Sequence, residues 1–270
     1  RRLSRQLIDE GYDALADMHD VLRTKVVRFF FRKANLPVAT IDKGRKDRKQ
    51  ITRIKNKQLR QLTPSPQRYA DVLAQLGFPI TLNAHHIYGD QPADISDLAD
   101  ITGIKGTDTW IGIAPFAAHE GKIYPLPLME EVICRLVGIP RLKIFLFGSG
   151  AKEKQWCDSV SQPNVVSMVG KTNLSKELRL MTNLSVMVTM DSANMHLSAL
   201  AGTPTVSIWG ATHPMAGFAG MQASGSRIVQ LDMDCRPCSI FGNKKCIKGN
   251  YPCMNNITPC QVTETIKQFI

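Results

Sequence analysis

No apolar run in the chain approaches the ~18 residues that a membrane-spanning helix needs, which excludes a helical transmembrane reading. No Gly-Lys-Ser/Thr phosphate loop occurs. The one Gly-x-Gly after an expected strand, Gly148-Ser149-Gly150, lacks the third glycine of the dinucleotide fingerprint, so phosphate-loop hydrolases and ordinary dehydrogenases fit poorly. Aromatic residues are few, at 7%, and cysteine is unevenly supplied: seven in all, an odd number, with five in the last 36 residues. That pattern is a poor match to a secreted disulfide framework and suits a reducing cytosol. No internal repeat is visible, no methionine opens the chain, and no signal-peptide pattern is present in it.

Acidic residues are scarce in one place. Residues 1–70 hold 18 Lys+Arg against 7 Asp+Glu, whereas residues 71–270 hold 16 of each, so the whole formal charge of +11 lies at one end of 270 residues. The stretch from Arg23 to Arg60 carries fourteen cations and only Asp42 and Asp47 as anions. Such a block faces an anionic surface, a phosphorylated substrate or nucleic acid, or is simply a solvated basic loop. Against nucleic acid, residues 1–70 show no ribonucleoprotein motif, no clear helix-turn-helix and few aromatics among the cations.

The element pattern is α/β. Arg1 to Gly11 reads as the end of a helix feeding a strand at Asp13–Asp17, and since α/β domains begin with a strand and its loop, a first βα unit is expected upstream. Val21–Lys33 has the spacing of an amphipathic helix, 43–66 reads as loop or short helix, Pro66–Leu76 as a helix ending at Gly77, and 83–106 as a polar linker. From Trp110 onward, short apolar runs (Trp110–Ala114, Lys143–Phe147, Val165–Met168, Ser185–Met190, Thr205–Trp209, Arg227–Leu231) alternate with helical windows. This predicts a doubly wound domain whose ligand sits beyond the carboxyl ends of the strands.

The loops there carry the candidate residues. At Asp191-Ser192-Ala193-Asn194-Met195-His196 a strand turns into a helix, and the amides of Ser192, Ala193 and Asn194 would offer an anion site suited to a diphosphate. Plain helix capping by Asp191 and Ser192, with His196 packed, explains the same residues. In Pro115–Lys122, Lys122 is a mobile cation suited to a phosphate oxygen and Gly121 permits close backbone approach. Thr172 or Asn173 can cap the helix near Leu174, and Gly210, Thr212 and His213 stand at a strand exit, where they line a pocket mouth or form a plain turn. Cys235-x2-Cys238-x7-Cys246-x6-Cys253 is permissive for structural zinc, although the second pair lacks the short spacing of common zinc ribbons; buried thiols or disulfides are the alternatives.

The run Asp191–Leu200 with Gly202-Thr203-Pro204 and Trp209–Pro214, together with the Lys122 loop, Gly170-Lys171-Thr172 and the Cys-x-Pro-Cys start, resembles the bacterial lipopolysaccharide heptosyltransferases, glycosyltransferase family nine. The resemblance covers most of 110–260 and, more loosely, 10–80. It implies a GT-B fold of two Rossmann-like domains, the N-terminal one incomplete: residues 1–105 for the acceptor, with the linker, and 106–270 for the nucleotide sugar. It implies transfer of a heptose from an ADP-sugar to a lipopolysaccharide core acceptor, with inversion and without a catalytic metal or other cofactor. Another nucleotide-sugar transferase of the same fold, or a basic nucleic-acid-binding protein, is the alternative. Carried over, Lys122 stabilises the leaving group. Ala117, Ala118, Asp191, Ser192 and Ala193 lie at the diphosphate, Glu153 at the ribose, the Thr172 turn at the adenine, and His196 supports the phosphate site. Arg23 and Arg68 would meet the acceptor, and the general base would lie upstream of Arg1. The implied partners are an ADP-heptose-like donor, a lipopolysaccharide core precursor and the anionic inner face of the bacterial inner membrane, in the cytoplasm, with no nucleic acid.

Overall fold

Alternating apolar strands and amphipathic helices give two α/β units in the computed structural model, which describes residues 2–83, 86–160 and 162–270. The expected helix start at Arg1 and linker positions 84 and 85 lie outside the described residues. The first unit comprises Arg1–Ile51, Gln58–Asn83 and Met215–Gly220, and the second comprises Thr52–Lys57, Ala84–Pro214 and Met221–Ile270.

In the first unit the order is α1 (Arg2–Asp9), β1 (Leu15–Asp17), α2 (Leu22–Lys33), β2 (Val38–Thr40), α3 (Arg45–Ile51) and α4 (Ser65–Gln75). β1 and β2 pair in parallel, Ala16 opposite Ala39, and a small core of Ala39, Ile41 and Val72 lies beneath them. Buried Asp17, at the carboxyl end of β1, accepts from the His19 and Asp20 amides at 2.9 Å, and Arg28 bridges it to Asp20. The short strand β2 was not visible as a run in the sequence, whereas α3 settles the 43–66 stretch as a short helix within loop.

The second unit begins with α5 (Ala99–Thr102) and continues β3 (Thr109–Ala114), α6 (Leu126–Val137), β4 (Leu142–Leu146), α7 (Gly150–Ser159), β5 (Val165–Ser167) and α8 (Leu174–Met181). It ends with β6 (Val186–Met190), α9 (Ala193–Leu200), β7 (Thr205–Trp209), β8 (Arg227–Gln230), α10 (Pro252–Asn255) and α11 (Pro259–Ile266). The six strands are all parallel, in the order β5-β4-β3-β6-β7-β8. The chain runs outward from β3 to β5, then returns to lay β6 on β3's other side, which makes the β3/β6 junction the topological switch point. Period-two alternation sorts side chains to two cores: Ile111, Ile113, Val186 and Val188 face one, Trp110, Ala114, Phe145 and Met187 the other.

The segment expected as a linker is instead part of this unit. Leu98 is buried against the Trp110 face with Ile95 and Ile101 packed beside it. The Ala93 amide donates to Thr182 Oγ1 at 2.8 Å, and Arg179 forms two 2.8 Å bonds to Asp97, holding that carboxyl down to about 2. Three apolar residues at i, i+3 and i+6 anchor a stretch whose other residues are polar, and composition hid them.

Candidate functional site

β6 delivers Asp191 to the switch point, because its five residues are wholly buried and end where the chain must turn into α9. Asp191 is itself buried, and its Oδ2 lies 2.9 Å from Nζ of Lys122, an ion pair rather than a well-aligned hydrogen bond. Lys122 comes from the loop after β3, on the other side of the junction, so the two loops that straddle the switch point meet through these charges.

Ser192 occupies the N-cap position of α9, but its hydroxyl accepts no bond from the helix; it shares a 3.3 Å hydrogen bond with Thr189 Oγ1. The first turn of α9 therefore carries no side-chain cap, and no carboxylate caps its positive dipole end. One expected donor is spent: the Ser192 amide bonds to the Met190 carbonyl at 2.8 Å, leaving Ala193 and Asn194 as the N-terminal amides. His196, one turn in, has an exposed edge. Burial of the rest of the ring lowers its pKa below the ordinary histidine value, with Asp191 raising it and Lys122 lowering it, so all three groups share one field.

Lys122 is held by what packs around its loop. The Gly121 carbonyl accepts from the Ala211 amide at 2.9 Å, and a Cβ on Gly121 would come within 2.8 Å of the Gly242 carbonyl. Gly242, with φ +75°, lies against the Lys122 stem, where a Cβ would stand 2.7 Å from Cγ. The cysteine-bearing segment thus presses on the Lys122 loop, a contact no sequence motif signalled.

Of the other loops, Ala117 packs on the core and Ala118 is exposed. Glu153, after β4, turns its carboxylate back to accept the Ser149 amide at 2.7 Å, beside Gly148 and the Phe116 ring. After β5, Asn173 and not Thr172 caps α8, accepting the Lys176 amide at 3.0 Å. Thr172 Oγ1 lies 3.2 Å from Glu177 Oε1, and burial raises the Glu177 pKa. In the first unit, Arg23 is exposed on α2. Arg68 is buried, its Nε donating to the Thr63 carbonyl at 3.1 Å and its Nη1 to the Asp42 carbonyl at 2.7 Å, so its side chain holds main chain rather than standing free.

The zinc expectation is corrected. Among the described residues no group of three or more His, Cys, Asp or Glu side chains could hold a metal ion, and all seven cysteines are free thiols. Burial pushes the Cys253 thiol up to about 11 and raises Cys238, so these behave as packed neutral thiols. The segment's centre is a residue that sequence reasoning passed over. Buried Arg236, between Cys235 and Cys238, donates to the carbonyls of Gly210 and Thr212 at 2.5 and 3.1 Å, to Gln230 Oε1 at 2.9 Å and to the Leu231 carbonyl. Lys57 Nζ donates to the Asp234 and Arg236 carbonyls, both at 2.8 Å. Thr212 and His213 are accordingly buried rather than lining an opening.

Residues 1–249 match the family described as Glycosyltransferase family 9 (heptosyltransferase). A lipooligosaccharide heptosyltransferase 2 of Campylobacter jejuni is 29% identical over 133 residues, 47% of this chain and 40% of that protein, so the matched stretch spans well under two thirds of the relative. The solved structure of E. coli ADP-heptose lipopolysaccharide heptosyltransferase II superposes with a TM-score of 0.65 at 18% identity, covering 99% of this chain and 79% of that one. E. coli heptosyltransferase WaaC with ADP gives 0.62 at 14%, covering 96% and 73%. Both solved structures share the two-domain GT-B fold, and with the family match over nearly the whole chain they lead to one conclusion: this chain belongs to glycosyltransferase family 9, the heptosyltransferase family.

Proposed function

We propose that the second unit binds the nucleotide half of an ADP-heptose-like donor, and that the protein transfers the heptose, with inversion, to a lipopolysaccharide core acceptor. The observation that carries this reading is the Lys122–Asp191 pair beneath the uncapped start of α9 at the switch point. A diphosphate placed there meets one ammonium and the Ala193 and Asn194 amides, a donor set that balances the charge developing on the departing nucleotide without calling on a metal. Asp191 is a poor partner for phosphate, and its part is to aim Lys122.

The sheet order supports the rest of the placement. From α9 the nucleotide would run toward β5 past the loops after β3, β4 and β5, with strands ~4.8 Å apart. In this reading Ala117, Ala118, Lys122 and Ser192 serve the phosphates, Glu153 the ribose, and the Thr172 turn the adenine. Glu153 must release the Ser149 amide to reach a ribose hydroxyl. His196, held neutral, contributes a hydrogen bond rather than a charge. E. coli heptosyltransferase II acts on ADP-heptose and the solved WaaC structure carries ADP, which favours adenine over other bases. On the acceptor side, exposed Arg23 can meet an anionic core sugar directly, while buried Arg68 acts by fixing the Asp42 and Thr63 backbone. On this reading the reaction takes place in the cytoplasm.

Titration calorimetry with ADP, GDP and UDP tests this. ADP should bind best, and Lys122→Ala should weaken it by about 1.5 to 3 kcal/mol through loss of a charge-assisted contact. Equal affinity for the three nucleotides, or an unchanged mutant, would remove the site from this reading.

A further inference from the structure

The cations of residues 23–60 are not equivalent once folded. Arg45 pairs with Asp20 at 3.1 Å, Arg60 with Asp47 at 2.6 Å, and Arg48 stacks 4.7 Å from the centre of the Phe218 ring, so much of the charge around α3 is used within the first unit. On α2 only Arg28 is so used, bridging Asp17 and Asp20. Arg23, Lys25, Arg32 and Lys33 are exposed, and among the described residues none of them has an ion-pair partner.

The same helix breaks the pattern expected of a surface helix. Its inward side is apolar, with Phe31 buried and Val27 against the end of β1. Its outward side should then be polar. Instead Leu22, Val26 and Phe29, at i, i+4 and i+7, form one stripe that is 80%, 45% and 63% exposed. Lys25 and Arg32 border the stripe on one side, Arg23 on the other, and Lys33 ends it; α2 holds no acidic residue. Twelve residues make a rod about 18 Å long.

We propose that the outer face of α2 docks the protein on an anionic lipid surface, with Leu22, Val26 and Phe29 entering the headgroup layer and Arg23, Lys25, Arg32 and Lys33 contacting lipid phosphates. A soluble partner protein with an acidic groove would match the charge, but the geometry favours a plane: a straight apolar stripe with cations on both flanks suits a flat amphiphilic boundary. The membrane field accounts for the composition as well, since each cation near such a surface multiplies binding by roughly fivefold while the apolar stripe adds a part that salt does not screen. Docking therefore uses α2 and not the run around α3, and it stands independently of the donor site in the second unit.

Co-sedimentation of the purified chain with large vesicles tests this, comparing phosphatidylglycerol-containing with pure phosphatidylcholine membranes at low and high salt. The wild-type chain should bind the anionic vesicles and not the neutral ones. The triple change Leu22→Ser, Val26→Ser, Phe29→Ser removes only exposed side chains, and should cut anionic-vesicle binding by about tenfold or more while thermal unfolding is unchanged. Changing Arg23, Lys25, Arg32 and Lys33 to Gln should do the same and abolish the salt dependence, whereas changing Arg45, Lys46 and Lys49 to Gln should have little effect. In a Phe29→Trp variant, brominated lipids should quench the new fluorophore. Failure of the wild-type chain to bind anionic vesicles, wild-type binding by the triple Ser variant, or loss of a self-associated state in its place would overturn the proposal, the last by assigning the stripe to a second copy of the chain.

Discussion

Lys122, in the second unit, sits half-buried 2.9 Å from a buried carboxylate, whereas the four cations on the outer side of α2, in the first unit, stand in solvent beside three exposed apolar side chains. The first arrangement has one charge held by Asp191, Gly121 and Gly242; the second has four that, among the described residues, have no ion-pair partner. A fixed charge beside a helix N-terminus discriminates among ligands because only a group of the right shape reaches both. A loose array attracts any extended anionic surface, and salt weakens it. Residues 71–270 balance 16 cations with 16 anions, so the anion site proposed for the second unit rests on geometry and not on accumulation.

If geometry is what matters in the second unit, the largest effect should come from the group that organises it. Arg236→Met leaves the Gly210, Thr212 and Leu231 carbonyls without their donor and should cost about 3 kcal/mol or more, read as a lowered denaturant midpoint from tryptophan fluorescence. An unchanged midpoint would mean that the cysteine segment is not tied to the sheet as described.

Acid should loosen the same region next. Burial first, and then the Arg236 charge, push His213 from 6.5 down to about 4. Between those values the unfolded chain binds a proton that the native chain refuses. The stabilisation is therefore complete above pH ~6.5 and is lost as the pH falls toward 4, by on the order of 2 kcal/mol. His213→Gln should flatten that part of the stability curve, and a curve unaltered by the substitution would contradict the burial argument.

A smaller effect isolates Lys122's orientation. Gly242→Ala forces a Cβ to 2.7 Å from the Lys122 stem, whereas Gly249→Ala, in the same segment and also at positive φ, meets nothing within 4 Å. Both incur backbone strain of about 1 kcal/mol, but only Gly242→Ala should weaken ADP binding, by roughly threefold to tenfold. Equal ADP affinities for the two variants would separate the segment from the site.

Much of the second unit was legible because its strands are buried on both faces, and continuous apolar runs such as Val186–Met190 survive in the sequence as runs. Asp191 and Lys122 were legible as residue types in strand-end loops, though not as an ion pair, since 69 positions of chain separate them. Three things were hidden for physical reasons. Arg236 reads as a surface charge until its acceptors, all main chain or amide, come together in space. Leu98 is an isolated apolar residue among polar ones, and only the Trp110 face shows why it is buried. The outer stripe of α2 has the same spacing as its inner one, so periodicity gave a helix without saying that both sides are apolar. The Ser192 amide differs from the expectation because a tight local turn spends it on the Met190 carbonyl, and residue types alone do not reveal that backbone conformation.

The central claim is that Lys122 acts as a fixed charge in a built anion site. Its most direct test is to titrate ADP into wild-type and Lys122→Ala protein across a range of salt concentrations. The account predicts a gap of about 1.5 to 3 kcal/mol between the two that changes little with salt, because the pair with buried Asp191 is screened far less than an exposed cation. A gap that vanishes at high salt, or none at any salt, would contradict it and make Lys122 one more surface charge.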